Sequence, residues 1–299
     1  MSIQSKANVL MVIVTIFWGL SYTFMVLGLE VLQAYNVVAL RCLIAFIIAG
    51  LIFYKKMIHT NIKTITYAAI QGVLLFIVFA LSLFGLELTS ASNAGFILSL
   101  TVVLVPIFSS IVEKSLPSRA VRIAIICTLV GISILTIQDS LTFNLGDLFI
   151  AIAAISYSIY LILNSKFTKQ VESISYGVYQ LGFAGIIAVI LCLLFEVPQI
   201  PDTSLGWIAI LSLGIICTAF CFIAQSVVQQ YTSPTHTGLI FSLEPIFASI
   251  FAVLFLGELI TVQLLVGGTL ILAGNFVAQF EQIQISRRVK QLHAKTNSN

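Results

Sequence analysis

The sequence consists of long apolar runs separated by short polar gaps. A run of about 20 apolar residues can cross a bilayer as one helix. Hydrophobic residues make up 60% of the 299 positions and charged residues only 8%, whereas soluble domains carry roughly 25% charged residues. With so few charges, much of the surface must face lipid. A soluble protein is therefore excluded, and a net charge of +3 does not indicate nucleic-acid binding.

Counting the runs predicts an all-α polytopic membrane protein with ten transmembrane helices. The first run follows Lys6, but it is longer than a signal-peptide core and no cleavage site follows it, so we expect it to be the first helix. Because the gaps are short, neighbouring helices should be antiparallel. The predicted helices begin near Asn8, Asn36, Thr64, Ala91, Arg119, Gly146, Ser175, Leu205, Thr235 and Thr261.

Basic residues are confined almost entirely to alternate gaps. Of the 14 Lys and Arg residues, all except Arg41 lie in the N-terminal segment, the second, fourth and sixth gaps, or the C-terminal tail. Because cytoplasmic loops retain Lys and Arg, both termini are predicted to be cytoplasmic, in a cell (plasma or inner) membrane. The eighth gap has only His236, which does not test this orientation. The odd-numbered gaps contain acids and no basic residue: Glu30, Glu87, Asp139, Glu196, Asp202 and Glu258.

The two halves of the chain resemble each other. The string AGFILSLTVVLVPIFSSI from Ala94 parallels TGLIFSLEPIFASIF from Thr237, and a similar alignment places Gln180 opposite Arg41. We predict five-helix repeats over residues 8–137 and 146–281, followed by a basic cytoplasmic tail over 282–299. Because five is odd, the second repeat enters the membrane inverted. Inverted halves can exchange roles and open to opposite sides, so this pattern favours a transporter working by alternating access.

Four local strings recur in a specific order along the chain. They are FWGLSY (17–22), ALRCLIA (39–45), GDLFIAIAAISYSIY (146–160) and SLEPIFASIFAVLFLGE (242–258). In this order and at these spacings, they resemble the EamA type of the drug/metabolite transporter superfamily. The resemblance covers residues 8–279. One departure is the end of the fourth helix, which reads EKSLPSR instead of the Leu-Gly-Glu pattern seen at Leu256, Gly257 and Glu258.

The resemblance implies a ten-helix transporter of small organic molecules. The first four helices of each half would surround a central cavity, and the fifth helices would lie at the periphery. Direction and substrate also rest on the resemblance, with export of amino acids, related metabolites or drugs as the first expectation.

Two ionisable side chains are predicted at membrane depth, Arg41 and Glu244. Such residues are costly in hydrocarbon and are functional-site candidates by default. Arg41 is expected to bind an anion or act in gating, and the alternatives are a carboxylate partner in the protein or snorkelling to the headgroups. Glu244 is a candidate coupling group for a cation or a proton, and the alternative is a structural hydrogen bond.

Two prolines mark candidate helix breaks or hinges. Pro245 follows Glu244 and frees the carbonyl of Phe241 from its intrahelical bond, and Pro106 does the same for Val102. Aromatic and amide side chains at helical spacing are further candidates for lining the cavity. For each of them the alternative is helix–helix packing. These candidates are Trp18, Tyr22, Gln71, Ser99, Tyr157, Tyr160, Gln180 and Gln225.

Catalytic chemistry is not indicated. The three histidines lie in gaps or the tail, and no triad, Walker loop or metal-ligand spacing occurs. The five cysteines lie in apolar runs and are expected to pack as small hydrophobes. We therefore predict no enzyme activity, cofactor, metal or nucleic-acid partner. The expected partners are the lipid bilayer and a small organic solute, with a proton or cation as candidate coupling ion. An uncoupled channel-like facilitator is the main alternative, a membrane enzyme or scaffold a third, and monomer versus homodimer stays open.

Overall fold

The computed structural model describes residues 3–112, 114, 116, 118–136, 144–231, 237 and 240–277, and their regular structure is entirely helical. Asp139, His236, His293, Thr235 and the tail lie outside these residues. The helices confirm the all-α polytopic class. They are α1 (Ile3–Leu29), α2 (Ala34–Ile58), α3 (Ile62–Leu86), α4 (Ala91–Leu98), α5 (Thr101–Val112), α6 (Arg119–Thr136), α7 (Leu145–Phe167), α8 (Ser173–Phe195), α9 (Ser204–Leu211), α10 (Cys221–Gln229), α11 (Glu244–Phe251) and α12 (Val262–Val277).

Seven apolar helices in the described part of the chain are long enough to cross a membrane. Two of them are composite: α4 and α5 form one, and α9 and α10 form another through a π-helical segment, Ser212–Phe220. The predicted fifth, ninth and tenth helices correspond to α6, to Glu244–Leu256 and to α12, which are shorter or less apolar. These elements fit two related five-helix repeats. The count of ten crossings and the exact repeat boundaries stay predictions.

The fourth helix of each half is interrupted at a Ser-Leu pair. In the first half the turn falls on Ser99 and Leu100, between α4 and α5, and in the second half on Ser242 and Leu243, directly before α11. The interruptions therefore occur before the prolines that the sequence marked. Pro106 lies inside α5. Pro245 is the second residue of α11, where a missing amide hydrogen sacrifices no intrahelical bond.

The helices of the two halves pack on each other in reciprocal pairs. The second helices, α2 and α8, pack on each other, while α3 packs on α7 and α1 packs on α9 and α10. Helices α4 and α11 also cross closely, because a Cβ added to Gly95 would lie 2.8 Å from the Cβ of Ala248. Each contact has a counterpart in which the halves exchange places, as an inverted repeat requires.

Helices α6 and α12 form a separate pair. Cβ atoms added to Gly131 or Gly267 would lie 2.7 Å from the carbonyl oxygen of the other glycine. Phe96, Leu135 and Ile271 form a small apolar cluster beside this crossing. The glycine-rich face of α12 is thus occupied by contacts within the chain.

The described acidic gaps, with Glu30, Glu87, Glu196 and Glu258, lie at one end of the bundle, which we call the acidic face. There the carboxylate of Glu196 accepts hydrogen bonds from the backbone amides of Tyr35 (2.8 Å) and Asn36 (2.9 Å), at the start of α2. Glu258 accepts in the same way from the amide of Ala91 (2.7 Å), at the start of α4. Both acids belong to the second half, and both helices belong to the first. The two carboxylates therefore tie the halves together.

The opposite end, which we call the basic face, carries Lys55, Lys56, Lys63, Lys166 and Lys169. Lys56 and Glu172 form an ion pair of 2.9 Å across the two halves. Glu172 also caps α8 through the amide of Ser175 (2.6 Å). Basic gaps therefore contact basic gaps, and acidic gaps contact acidic gaps. This is expected for a chain that crosses from one end of the bundle to the other with each helix.

Candidate functional site

A small cavity lies between the two halves. Its volume is about 40 Å³, and one water molecule needs roughly 10–15 Å³. It therefore has room for a few waters but not for an organic solute, and the helices must separate before a solute can enter. The lining comes from α1 to α4 of the first half and from α7, α10 and α11 of the second: Trp18, Ser21, Tyr22, Met25, Arg41, Val78, Phe79, Ser82, Leu98, Tyr157, Phe222 and Glu244.

Glu244 is buried at the start of α11, directly after the Ser-Leu turn. The hydroxyl of Tyr22 donates a hydrogen bond of 3.1 Å to its carboxylate. The unpaired amides at a helix N-terminus favour a negative charge, so this position suits a carboxylate better than the middle of a helix would. Glu244 also lines a second pocket of about 10 Å³ with Ser99 and Thr101. Glu244 therefore lines both small pockets at the helix break.

Arg41 is buried on α2, with only 2% of its surface exposed. Its Nε donates to Oγ1 of Thr218 at 3.0 Å, and its guanidinium carbon lies 3.9 Å from the centre of the Phe79 ring. The side chain thus turns into the protein and does not snorkel to the headgroups. Burying a charge in hydrocarbon costs several kcal/mol, so the burial of Arg41 needs compensation.

Trp18 anchors an aromatic wall of the cavity. Its indole Nε1 donates to the carbonyl oxygen of Cys217, in the π-helical segment, at 3.0 Å. Its ring centre lies 4.9 Å from that of Phe241, 5.1 Å from that of Phe222 and 6.1 Å from that of Tyr157. π-Helical turns inside helices occur frequently at functional sites. Here the segment supplies contacts to both Trp18 and Arg41.

Three predicted candidates form a hydrogen-bonded group beside the cavity, which we call the amide cluster: Gln71, Tyr160 and Gln180. Tyr160 donates to the side-chain oxygen of Gln180 (3.0 Å), and Gln71 donates to the carbonyl of Tyr160 (3.1 Å). Gln225 lies outside this group and donates to the hydroxyl of Tyr157 (3.3 Å), a residue that lines the cavity. The cluster joins helices of both halves on the side of the cavity nearer the basic face.

Sequence reasoning and structure agree on part of this site. Of the predicted residues, five line the main cavity: Trp18, Tyr22, Arg41, Tyr157 and Glu244. Ser99 lines the second pocket, Gln71, Tyr160 and Gln180 form the amide cluster, and Gln225 bonds to Tyr157.

Among the lining residues, Phe79 and Phe222 were not predicted. The helical spacing does place Thr218 on the same face as Gln225, but it does not pair Thr218 with Arg41. The two phenylalanines could not be distinguished among the 22 in the chain.

A cavity that both related helical halves line, with a buried arginine and a buried glutamate among aromatic side chains, is typical of a multi-pass membrane protein of the transporter type. The chain belongs to the EamA-like transporter family, whose model matches residues 5–137 and 144–279. It is therefore a membrane transporter of small solutes and not an enzyme.

Individual proteins are similar over nearly the whole length. An uncharacterized transporter of Archaeoglobus fulgidus is 23% identical over 94% of this chain and 100% of its own length. The uncharacterized transporter YoaV of Bacillus subtilis is 22% identical over 89% of this chain and 94% of its own. A solved crystal structure with 18% sequence identity covers 95% of this chain and 99% of that chain, with a TM-score of 0.69. The last similarity concerns the fold alone.

Proposed function

We propose that the protein is a secondary transporter that moves a small organic solute by alternating access between two inverted five-helix halves. Export of an amino acid, a related metabolite or a drug is the favoured direction and substrate range, from the family resemblance. The observation that carries the mechanism is the cavity, because both halves line it and it is too small for a solute. Access therefore requires the halves to move relative to each other.

The coupling group in this proposal is Glu244. Its carboxylate lies at the break before α11, where a small rotation of the two helix segments would change its surroundings. The hydrogen bond from Tyr22 joins α1 to α11, so protonation or cation binding at Glu244 would alter a contact between the halves. Arg41 lines the same cavity from α2 and is the anion-binding or gating group.

The topology in this proposal has ten crossings in the cell membrane, with both termini and the basic face in the cytoplasm. Its support is the positive-inside bias together with the clustering of the acidic gaps at one face. Single cysteines at the exposed positions Asp202 and Lys169 should then react with membrane-impermeant reagents from opposite sides. Labelling from one side alone would refute this topology.

Counterflow of labelled amino acids in proteoliposomes, with and without an imposed pH gradient, tests the mechanism. Coupled transport predicts that the gradient drives accumulation and that Glu244→Gln abolishes the drive while exchange persists. The matched control is Glu30→Gln, an exposed carboxylate of the acidic face. If accumulation ignores the gradient and Glu244→Gln transports normally, the protein is a channel-like facilitator, and Glu244 only shapes the pore.

A further inference from the structure

The charge of Arg41 has no counter-charge in this structure. Among the described residues, the ion pair found is that of Lys56 and Glu172, so no described carboxylate lies within ion-pair distance of Arg41. Glu244 lines the same cavity, but its described hydrogen bond comes from Tyr22. One guanidinium nitrogen of Arg41, Nη1, is buried without a hydrogen-bond partner. A buried cation without its anion is strongly unfavourable.

The surroundings of Arg41 orient the guanidinium but do not neutralise it. The Phe79 ring covers one face of the planar group, and Thr218 accepts from the Nε edge. Both contacts are neutral and hold the side chain in one direction. They leave Nη1 without a partner, on a side chain that lines the cavity. A planar guanidinium with a free edge is the geometry that binds a carboxylate through parallel hydrogen bonds.

The fold itself does not require this charge. Gln180 is the counterpart of Arg41 in the second half, and each lies seven residues after the first residue of its helix, Ala34 or Ser173. Gln180 is neutral, and its amide is hydrogen-bonded on both sides, to Tyr160 (3.0 Å) and to the hydroxyl of Ser226 (3.4 Å). The same helix position thus works with a neutral, satisfied side chain. The packing at this helix position therefore does not by itself require the positive charge of Arg41.

We infer that Arg41 binds the carboxylate of an amphipathic organic anion, whose apolar body packs on the cavity's aromatic side chains. This inference rests on the proposed transport function and names the chemical class of its solute. Trp18, Phe79 and Phe222 supply the apolar contacts, and aromatic walls with few polar groups are typical of sites for small organic ligands. When the anion leaves, Arg41 is again unpaired, so the occupied and empty cavities differ in charge balance.

Binding to the full-length protein in detergent tests the inference without relying on transport. The probes are three aromatic carboxylates, benzoate, phenylacetate and 3-phenylpropanoate, each paired with its uncharged amide. A ligand that binds the folded state raises the midpoint of thermal unfolding. We expect at least one carboxylate to raise the midpoint at concentrations about tenfold lower than its amide, a difference of one decade in affinity. Arg41→Gln should abolish that preference, and Lys56→Gln, at an exposed position, should keep it.

Arg41→Lys and Thr218→Val keep the test decisive if Arg41→Gln does not fold. Arg41→Lys retains the charge without the planar fork, so it should weaken carboxylate binding and still favour the carboxylate over the amide. Thr218→Val releases the Nε contact and should weaken the carboxylate selectively. Equal shifts from acids and amides in all three pairs, or undiminished carboxylate binding in these variants, would overturn the inference.

The two proposals fail in different ways. Arg41-dependent carboxylate binding without solute movement in vesicles would refute transport and leave the anion site standing. Solute transport that Arg41→Gln leaves unchanged would refute the anion site alone.

Discussion

Glu196→Gln is expected to loosen the start of α2 without unfolding the protein. The Glu196 carboxylate accepts three hydrogen bonds across the interface between the halves, from the backbone amides of Tyr35 (2.8 Å) and Asn36 (2.9 Å) and from the Asn36 side-chain amide (2.8 Å). It therefore acts as an N-cap supplied by the other half. Removing a capping side chain costs about 0.5–2 kcal/mol.

The size of the effect follows from what glutamine keeps and loses. Glutamine retains one acceptor oxygen, so one or two of the three bonds can persist, but the charge facing the helix N-terminus disappears. Losing that charge alone is worth roughly 0.3–1 kcal/mol, and weakening a charge-assisted bond adds to it. We expect a total of about 1–2 kcal/mol, which corresponds to a factor of roughly 5–30 in the local opening equilibrium.

Hydrogen exchange measures this opening directly, because exchange of a protected amide reports the free energy of local unfolding. The amides of Tyr35 and Asn36 should exchange about 5- to 30-fold faster in Glu196→Gln. Glu30→Gln, an exposed acid of the same face, serves as the control and should leave both amides unchanged.

The capping interpretation would be refuted by unchanged exchange at the Tyr35 and Asn36 amides. It would fail equally if the amides of Ala91 and Ser92, at the start of α4, accelerated by the same factor. Such a result would mean a general loss of stability instead of a lost cap.

Three further perturbations test other contacts. Glu258→Gln should accelerate amide exchange at the start of α4 and leave α2 unaffected, because this carboxylate caps α4 alone. Gly131→Leu should lower the thermal midpoint through an overpacking cost of about 1–3 kcal/mol, since even a Cβ there would lie 2.7 Å from the Gly267 carbonyl oxygen. Burial opposes ionisation of Glu172, but hydrogen bonds at the start of α8 and the Lys56 ammonium together lower its pKa. Its charge therefore stabilises the fold above the ordinary carboxyl pKa of about 4.3, and that stabilisation is lost as the pH falls through the lowered value. Lys56→Gln should accordingly cost about 0.2–1 kcal/mol at neutral pH, and the difference in thermal midpoint should vanish near pH 3.

Some features of the site could be predicted from local sequence. Arg41 and Glu244 were identifiable because a charge in an apolar run is rare enough to require a reason. Trp18, Tyr22 and Tyr157 followed from helical spacing. The same spacing selected Gln71 and Gln180, which instead bond to neighbouring helices. Periodicity states which face a residue occupies but not what that face meets.

The ends of the helices were harder to predict from the sequence. The prolines marked the right helices, but the turns fall on the preceding Ser-Leu pairs. At the first turn the Ser99 hydroxyl donates to the carbonyl of Phe96 (2.6 Å), a local bond of the kind that competes with regular helix. Glu196 and Glu258 looked like ordinary loop acids. Their capping partners lie more than a hundred residues away in the chain. A local sequence pattern does not indicate which distant helix start a carboxylate will cap.

The sequence alone determined the helical class, the division into two related halves and the presence of two ionisable residues at membrane depth. These follow from hydrophobicity and repetition, which are properties of single segments and their order. Only the tertiary structure decided that Glu244 meets Tyr22 and that Arg41 meets Thr218 and Phe79 without an acid. Those contacts join helices from different halves, so they depend on how the halves pack, and packing is a property of the whole bundle.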